Sequence, residues 1–213
     1  MEIAAAGRKS APEHLQPRRT RDAQRMLSVI IATHDSERAL VPTLAALVSG
    51  ATAGLVSEVL VVDGGSRDDT AKIADIAGCT FTVLEGPLAH RLRAGAAAAR
   101  APWLLFLLPG TILEAGWPGE ASRFLEQAAR NPRVAVFRRG ISAQPSLRDA
   151  LSLIVAAAFG ARPRAEQGLV ISKQLYDRLG GHSETAADPE AELLRRIGRR
   201  RVVTLAAGAS RAR

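Results

Sequence analysis

Apolar runs that stop abruptly on small and acidic residues mark the first half of this chain. Leu27–Thr33 (L-S-V-I-I-A-T) runs into His34, Asp35 and Ser36, and residues 58–63 (E-V-L-V-V-D) run into Gly64, Gly65 and Ser66. Continuous stretches of β-branched and aliphatic residues read as strands buried on both faces, as in parallel sheets. Between them, a helix is expected to open near Pro42, with Leu44, Leu47 and Val48 on one face. After residue 63, Ser66 followed three positions later by Asp69 predicts a capped helix start, and Gly78 suits the left-handed position after its end.

The alternation continues. Strands are expected at 80–84, 103–108 and 133–137, and helices at 88–100 and from Pro118 onward. Pro109-Gly110 forces a turn, and Asn131-Pro132 ends the later helix. The second half is less regular. It comprises an apolar helix over 151–160, a strand at 168–171, a short helix at 173–179 closed by Gly180-Gly181, a charged helix at 189–200 and a strand at 202–205. Strand–helix alternation implies an α/β fold, a mostly parallel sheet flanked by helices.

Composition narrows the possibilities. At 4% aromatic residues the core must be built from Ala, Leu, Val and Ile. The single Cys79 rules out an internal disulfide and a cysteine-rich zinc site, and points to a reducing, cytoplasmic setting. The longest apolar segment, 151–160, is too short for a bilayer span of roughly 20 residues. It reads as a buried helix, with peripheral contact to an anionic membrane, flanked by Arg148 and Arg162, as the alternative. Residues 1–25 read as a disordered basic leader, 26–208 as one domain (26–116 a nucleotide-binding half, 117–208 an acceptor half) and 209–213 as a tail. The net charge of +8 comes with neither zinc-finger spacing nor aromatic-studded basic strands, which argues against specific nucleic-acid binding.

Candidate chemistry gathers at the two strand ends. Asp63 either accepts hydrogen bonds from a ribose or base or shapes the turn that follows it. Gly64 and Gly65 let a ligand approach the backbone, and the amides that follow can receive an anion. Neither a dinucleotide-binding glycine fingerprint nor a phosphate-binding loop motif is present. In D-P-E-A-E, Asp188 is placed to cap a helix beginning at Pro189, with Glu190 and Glu192 in its first turn.

The segments S-V-I-I-A-T-H-D-S-E and V-L-V-V-D-G-G-S-R-D-D-T resemble the nucleotide-binding half of family 2 glycosyltransferases, which have the Rossmann-like GT-A fold. With the helix R-A-G-A-A-A-A-R, the chain is similar to a short bacterial subgroup often found with radical-SAM proteins. The resemblance implies transfer of a sugar, with inversion, from a nucleotide-sugar donor to an unidentified acceptor. It implies Thr33, Asp35 and Asp63, with Gly64, Gly65 and Ser66, around the donor nucleoside and phosphates. Glu190 aligns with the family's general base, and Asp188 and Glu192 are its neighbours. Glu166, Gln167 and Gly168 resemble the acceptor side. Where the family has an Asp-X-Asp-like metal motif, this chain has Leu108-Pro109-Gly110, which argues against a divalent cation such as Mn or Mg, and no other cofactor is implied. Arg91 or Arg93 is the expected substitute for that cation. Without the motif, a catalytically inactive protein that binds a nucleotide or partner is the alternative reading.

Overall fold

The structure, a computed structural model, describes residues 26–128, 132–140 and 164–212. In chain order the elements are β1 (Leu27–Thr33), α1 (Glu37–Thr52), β2 (Val56–Asp63), α2 (Thr70–Ile76), β3 (Thr80–Val83), α3 (Leu88–Ala98), β4 (Trp103–Leu107), β5 (Thr111–Leu113), α4 (Trp117–Ala128), β6 (Val134–Arg139), β7 (Leu169–Ser172), α5 (Lys173–Arg178), α6 (Pro189–Ile197) and β8 (Val202–Arg211). Short 3₁₀ turns at Ala165–Gln167 and Arg199–Arg201 precede β7 and β8. The expected helix over 151–160, with Arg148 and Arg162, and the leader lie outside the described residues.

The strands form one sheet in the order β3-β2-β1-β4-β7-β6-β8-β5. The β3-β2-β1-β4 half is parallel throughout. Beyond it, β7 runs antiparallel to both β4 and β6, β6 runs parallel to β8, and β5 is antiparallel to β8. Every residue of β1 and β4 is buried, as continuous apolar strands require.

Alternation along β1 sends Val29 and Ile31 to one face and Ile30 and Ala32 to the other. The first face packs against Leu40 and Leu47 of α1, Ala74 of α2, and Trp117, Phe124 and Leu125 of α4. The second packs against Leu92 and Ala96 of α3, Leu175 and Tyr176 of α5, and Leu193, Leu194 and Ile197 of α6. Gly95 sets how closely α3 lies on the sheet: a β-carbon there would sit 2.6 Å from Ile30 Cγ2. Gly95→Val is therefore expected to overpack the α3–β1 contact and cost about 1–3 kcal/mol, read as a lowered urea midpoint.

Three local expectations are corrected. The first helix opens at Glu37, not near Pro42, which lies inside it after Ser36 as N-cap. Ser66 does not cap α2. That helix starts at Thr70 with Asp69 as its N-cap and no side-chain capping bond, because the Ser66 hydroxyl is engaged elsewhere. The last strand runs on to Arg211, pairing Ala209, Ser210 and Arg211 with Leu113, Ile112 and Thr111, so the supposed tail is largely sheet.

Candidate active site

The parallel half places the carboxyl ends of β1 and β2 side by side, with Thr33 in register with Asp63. In open α/β sheets this edge is where ligands bind. Gly64 N donates to Thr33 O at 2.8 Å, and Asp63 turns its carboxylate inward, leaving the residue 1% exposed. One of its oxygens accepts from the Thr33 hydroxyl (2.7 Å) and the Ser66 hydroxyl (2.5 Å). The other accepts from the amides of Gly65 (2.9 Å) and Ser66 (2.6 Å). Burial alone would raise this carboxyl, but the hydrogen bonds from Ser66, Thr33 and Gly65 outweigh it and hold it below the usual aspartate value.

Asp63 is thus the keystone of the turn, and its lone pairs are spent on protein groups. These four bonds are those of a residue that shapes the turn following β2. Asp35 remains half-exposed at 53% of its side chain. It has the only positive φ among the described non-glycine residues, +45°, and accepts from Arg67 N at 2.8 Å. Its own amide donates to Ser66 Oγ at 2.8 Å. With Ser36 N on Thr70 Oγ1 and Glu37 N on Asp68 Oδ2, each at 2.9 Å, these bonds stitch the two strand-end loops into one shelf.

Arg91 reaches this shelf from α3. Its guanidinium donates to Thr33 O at 3.2 Å, and its Nε is buried with no hydrogen-bond partner. The guanidinium occupies the space that a side chain at position 64 would need, since a β-carbon on Gly64 would run into Arg91 Nη1. Gly64 is a glycine here to admit an arginine. Arg93, expected to serve beside it, does not join the shelf. Two positions along a helix turn a side chain to nearly the opposite face. Arg93 instead donates to Gly180 O (2.7 Å) and His182 O (3.3 Å) and pairs with Glu184 at 3.5 Å.

At the start of α6 the three acidic residues separate by role. Asp188 caps the helix, accepting from Ala191 N at 2.9 Å, with Pro189 at the first position. Glu192 is held by Arg196, whose Nε and Nη2 lie 3.0 and 2.5 Å from its oxygens. Glu190 is left, 7% exposed, and burial, with Asp188 adding to it, pushes its carboxyl up to about 7. A carboxyl poised there exchanges protons readily near neutrality. Through Leu193 and Leu194, α6 packs in the same cluster as Leu92 of α3, the helix carrying Arg91.

One buried group escaped the sequence reading. His182, just after Gly180-Gly181, is fully buried, with Nδ1 2.8 Å from the Tyr176 hydroxyl and its ring edge-on to Phe106. Burial and the nearby Arg196 push its pKa down to about 4, so the ring is neutral near pH 7. No spacing or motif signals this; it arises because Gly180 and Gly181, both at positive φ, fold the loop back onto Tyr176. On the expected acceptor side, Gln167 is tied to Phe137 O at 2.7 Å and Gly168 adopts a φ of +68°.

The position after β4 does not fit a divalent cation. Leu108, Pro109 and Gly110 carry no side-chain oxygen, and Gly110 is fastened by its amide to Ala39 O and Thr43 Oγ1, each at 2.9 Å. Among the described residues, no group of three or more His, Cys, Asp or Glu side chains is arranged to hold a metal ion. No helix among them is long and apolar enough to cross a membrane.

This architecture is the GT-A fold of glycosyltransferases. Residues 28–107, from β1 through β4, match the family model described as glycosyl transferase family 2. Among solved structures, TarS of S. aureus (residues 1–349) superposes with a TM-score of 0.68 at 15% identity, covering 88% of this chain and 60% of that one. Glucosyl-3-phosphoglycerate synthase of Mycobacterium tuberculosis, in complex with Mn2+, uridine diphosphate and glucosyl-3-phosphoglycerate, superposes with a TM-score of 0.64 at 16% identity, covering 91% and 74%. The mannosyltransferase PcManGT of Pyrobaculum calidifontis, in complex with GDP-mannose and Mn2+, gives 0.64 at 15% identity, covering 87% and 56%. This chain therefore spans little more than half the length of some of the enzymes it resembles. A search of curated protein sequences gives no match.

Proposed function

We propose that this protein is a glycosyltransferase that takes a sugar from a nucleoside-diphosphate donor seated on the β1–β2 shelf. The observation that carries the reading is Arg91, brought by Gly64 to the strand ends with an unsatisfied buried Nε. A guanidinium binds phosphate oxygens in a bidentate manner and supplies charge without a cation. Asp35 and the half-buried backbone of Gly64 and Gly65 are the polar contacts offered to the nucleoside and phosphates, with Thr33, Asp63 and Ser66 fixing the shape beneath them. Glu190 accepts the proton of the acceptor hydroxyl as that oxygen bonds to the anomeric carbon. The bond from that carbon to the diphosphate oxygen breaks, and the nucleotide leaves with the electron pair beside Arg91. No step is assigned to a metal, because the Leu108-Pro109-Gly110 loop offers it no side-chain ligand.

Calorimetry with UDP and GDP, with and without Mn2+, tests the arginine. Arg91→Ala is expected to weaken nucleotide binding about tenfold to a hundredfold. Gly64→Ala is expected to do the same with little change in melting temperature, because only the flexible end of Arg91 must move. Unchanged affinity in Arg91→Ala, or affinity that vanishes without Mn2+, would overturn the arginine's role. The loop after β4 also favours a second reading, a non-catalytic nucleotide-binding protein. Tight metal-free binding with no sugar release from any donor would select it.

A further inference from the structure

The amino-terminal edge of the sheet, opposite the shelf, carries a second concentration of charge. Val134 and Val202 are register partners in the parallel β6–β8 pair, so the residues leading into both strands emerge side by side. Those residues are Pro132 and Arg133 on one strand and Arg200 and Arg201 on the other. Because β7 runs antiparallel to β6, its end brings α5 to the same edge, adding Leu175 and Arg178. Together these six residues line a cavity of about 250 Å³. It shares no residue with the donor shelf.

Elsewhere on the surface arginines are mostly paired: Arg100 with Glu58, Arg123 with Glu120, Arg138 with Glu114, Arg196 with Glu192 and Arg211 with Glu166. Among the described residues, Arg133, Arg178, Arg200 and Arg201 have no carboxylate within ion-pair distance. Arg178 has only a bond to Gln174 O on its own helix. The 3₁₀ turn Arg199–Arg201, with three residues per turn, spreads its side chains in separate directions, and only Arg200 and Arg201 turn toward the cavity. Four like charges converging on a concave surface raise the local potential and favour an anion strongly enough to offset their mutual repulsion.

The geometry points to a second anion site in this pocket, one that takes a phosphate group with two negative charges, carried either by a soluble phosphate ester or by a lipid headgroup. Guanidinium forks match phosphate oxygens pairwise, and the apolar lining residues Leu175 and Pro132 suit the carbon-bearing side of such a group. The site goes beyond donor binding, since it lies at the far edge of the sheet from Arg91.

Two probes separate the sources: inorganic pyrophosphate, followed by calorimetry, and vesicles of phosphatidic acid against vesicles of phosphatidylcholine, followed by co-sedimentation. Arg200→Ala/Arg201→Ala is expected to weaken binding of the preferred probe at least about tenfold, equivalent to about 1.4 kcal/mol. Lys72→Ala/Arg123→Ala removes the same charge from exposed positions elsewhere and is expected to leave binding within about twofold, as surface pairs contribute little. Because a diphosphate also fits Arg91, pyrophosphate is titrated into the Arg91→Ala variant with and without the pocket substitutions, and the pocket's own binding is expected to remain when Arg91 is gone. Pyrophosphate binding lost only in the pocket variant supports a soluble ester, and phosphatidic-acid binding lost only there supports a headgroup. No binding of either probe, equal loss in both double variants, or loss confined to Arg91→Ala overturns the site. All four pocket arginines are solvent-exposed, so the substitutions leave the core untouched, and unchanged circular dichroism checks this.

Discussion

Glu190→Gln is expected to lower turnover by roughly 10²- to 10⁴-fold, the usual worth of a positioned general base. The same substitution is expected to make the protein more stable at alkaline pH. Burial raises the folded-state pKa of Glu190 to about 7, against the ordinary glutamate value of 4.5. A raised pKa gives stability that is present in full below the unfolded-state value and is lost as pH rises through the folded-state value. Well above pH 7 the native protein therefore holds a charged carboxylate in a buried place, and the neutral amide relieves a cost of up to about 3 kcal/mol. Urea unfolding of the two proteins at acidic and alkaline pH measures the difference, which should vanish below about pH 4.5. In the parent protein, turnover should rise with pH through about 7 as the base ionises. A stable Glu190→Gln protein that kept full turnover would remove Glu190 from the chemistry.

Asp63→Ala is expected to act on folding first. It strands two hydroxyls and two backbone amides at a buried turn, and bonds to a charged acceptor are among the costlier ones to lose, so about 3–5 kcal/mol of stability should go. The carboxylate's lowered pKa means that its contribution is intact above the ordinary aspartate value of 3.8 and fades as pH falls below it. Chemical denaturation reads the loss directly. A variant that unfolded at the parental urea midpoint would show that the turn does not depend on its acceptor. Nucleotide affinity should fall as well, because Ser66 and the Asp35 loop are held through the same carboxylate.

The shelf was legible from sequence in outline and misread in detail, for an identifiable reason. Strands buried on both faces leave a one-dimensional trace, and β1, β2, β3 and β4 begin and end within two residues of where that trace puts them. The strand ends therefore locate the shelf. Which atoms face outward is decided by pairwise bonds between loops about 30 positions apart, such as Thr33 with Asp63 and Asp35 with Ser66, and no local pattern encodes those. Ser66 has the sequence of a helix cap, yet Asp63 outcompetes the helix for its hydroxyl. Arg91 and Arg93 look equivalent in a list of cations, and helical geometry separates them. Glu190 was singled out by family alignment, while its isolation required seeing Asp188 and Glu192 committed elsewhere. His182 left no trace at all, since its burial depends on two left-handed glycines and a tyrosine.

The C-terminal strand has a temporal meaning. β1, β2 and β4 find one another through short strand–helix–strand units, but β5 has no neighbour until β8 arrives, and Gly208 must meet Glu114 from 94 positions away. Closing so long a loop is slow relative to forming the early units. The parallel β3-β2-β1-β4 half can thus assemble while the rest of the sheet is still open, with β8 as the last piece to lock in.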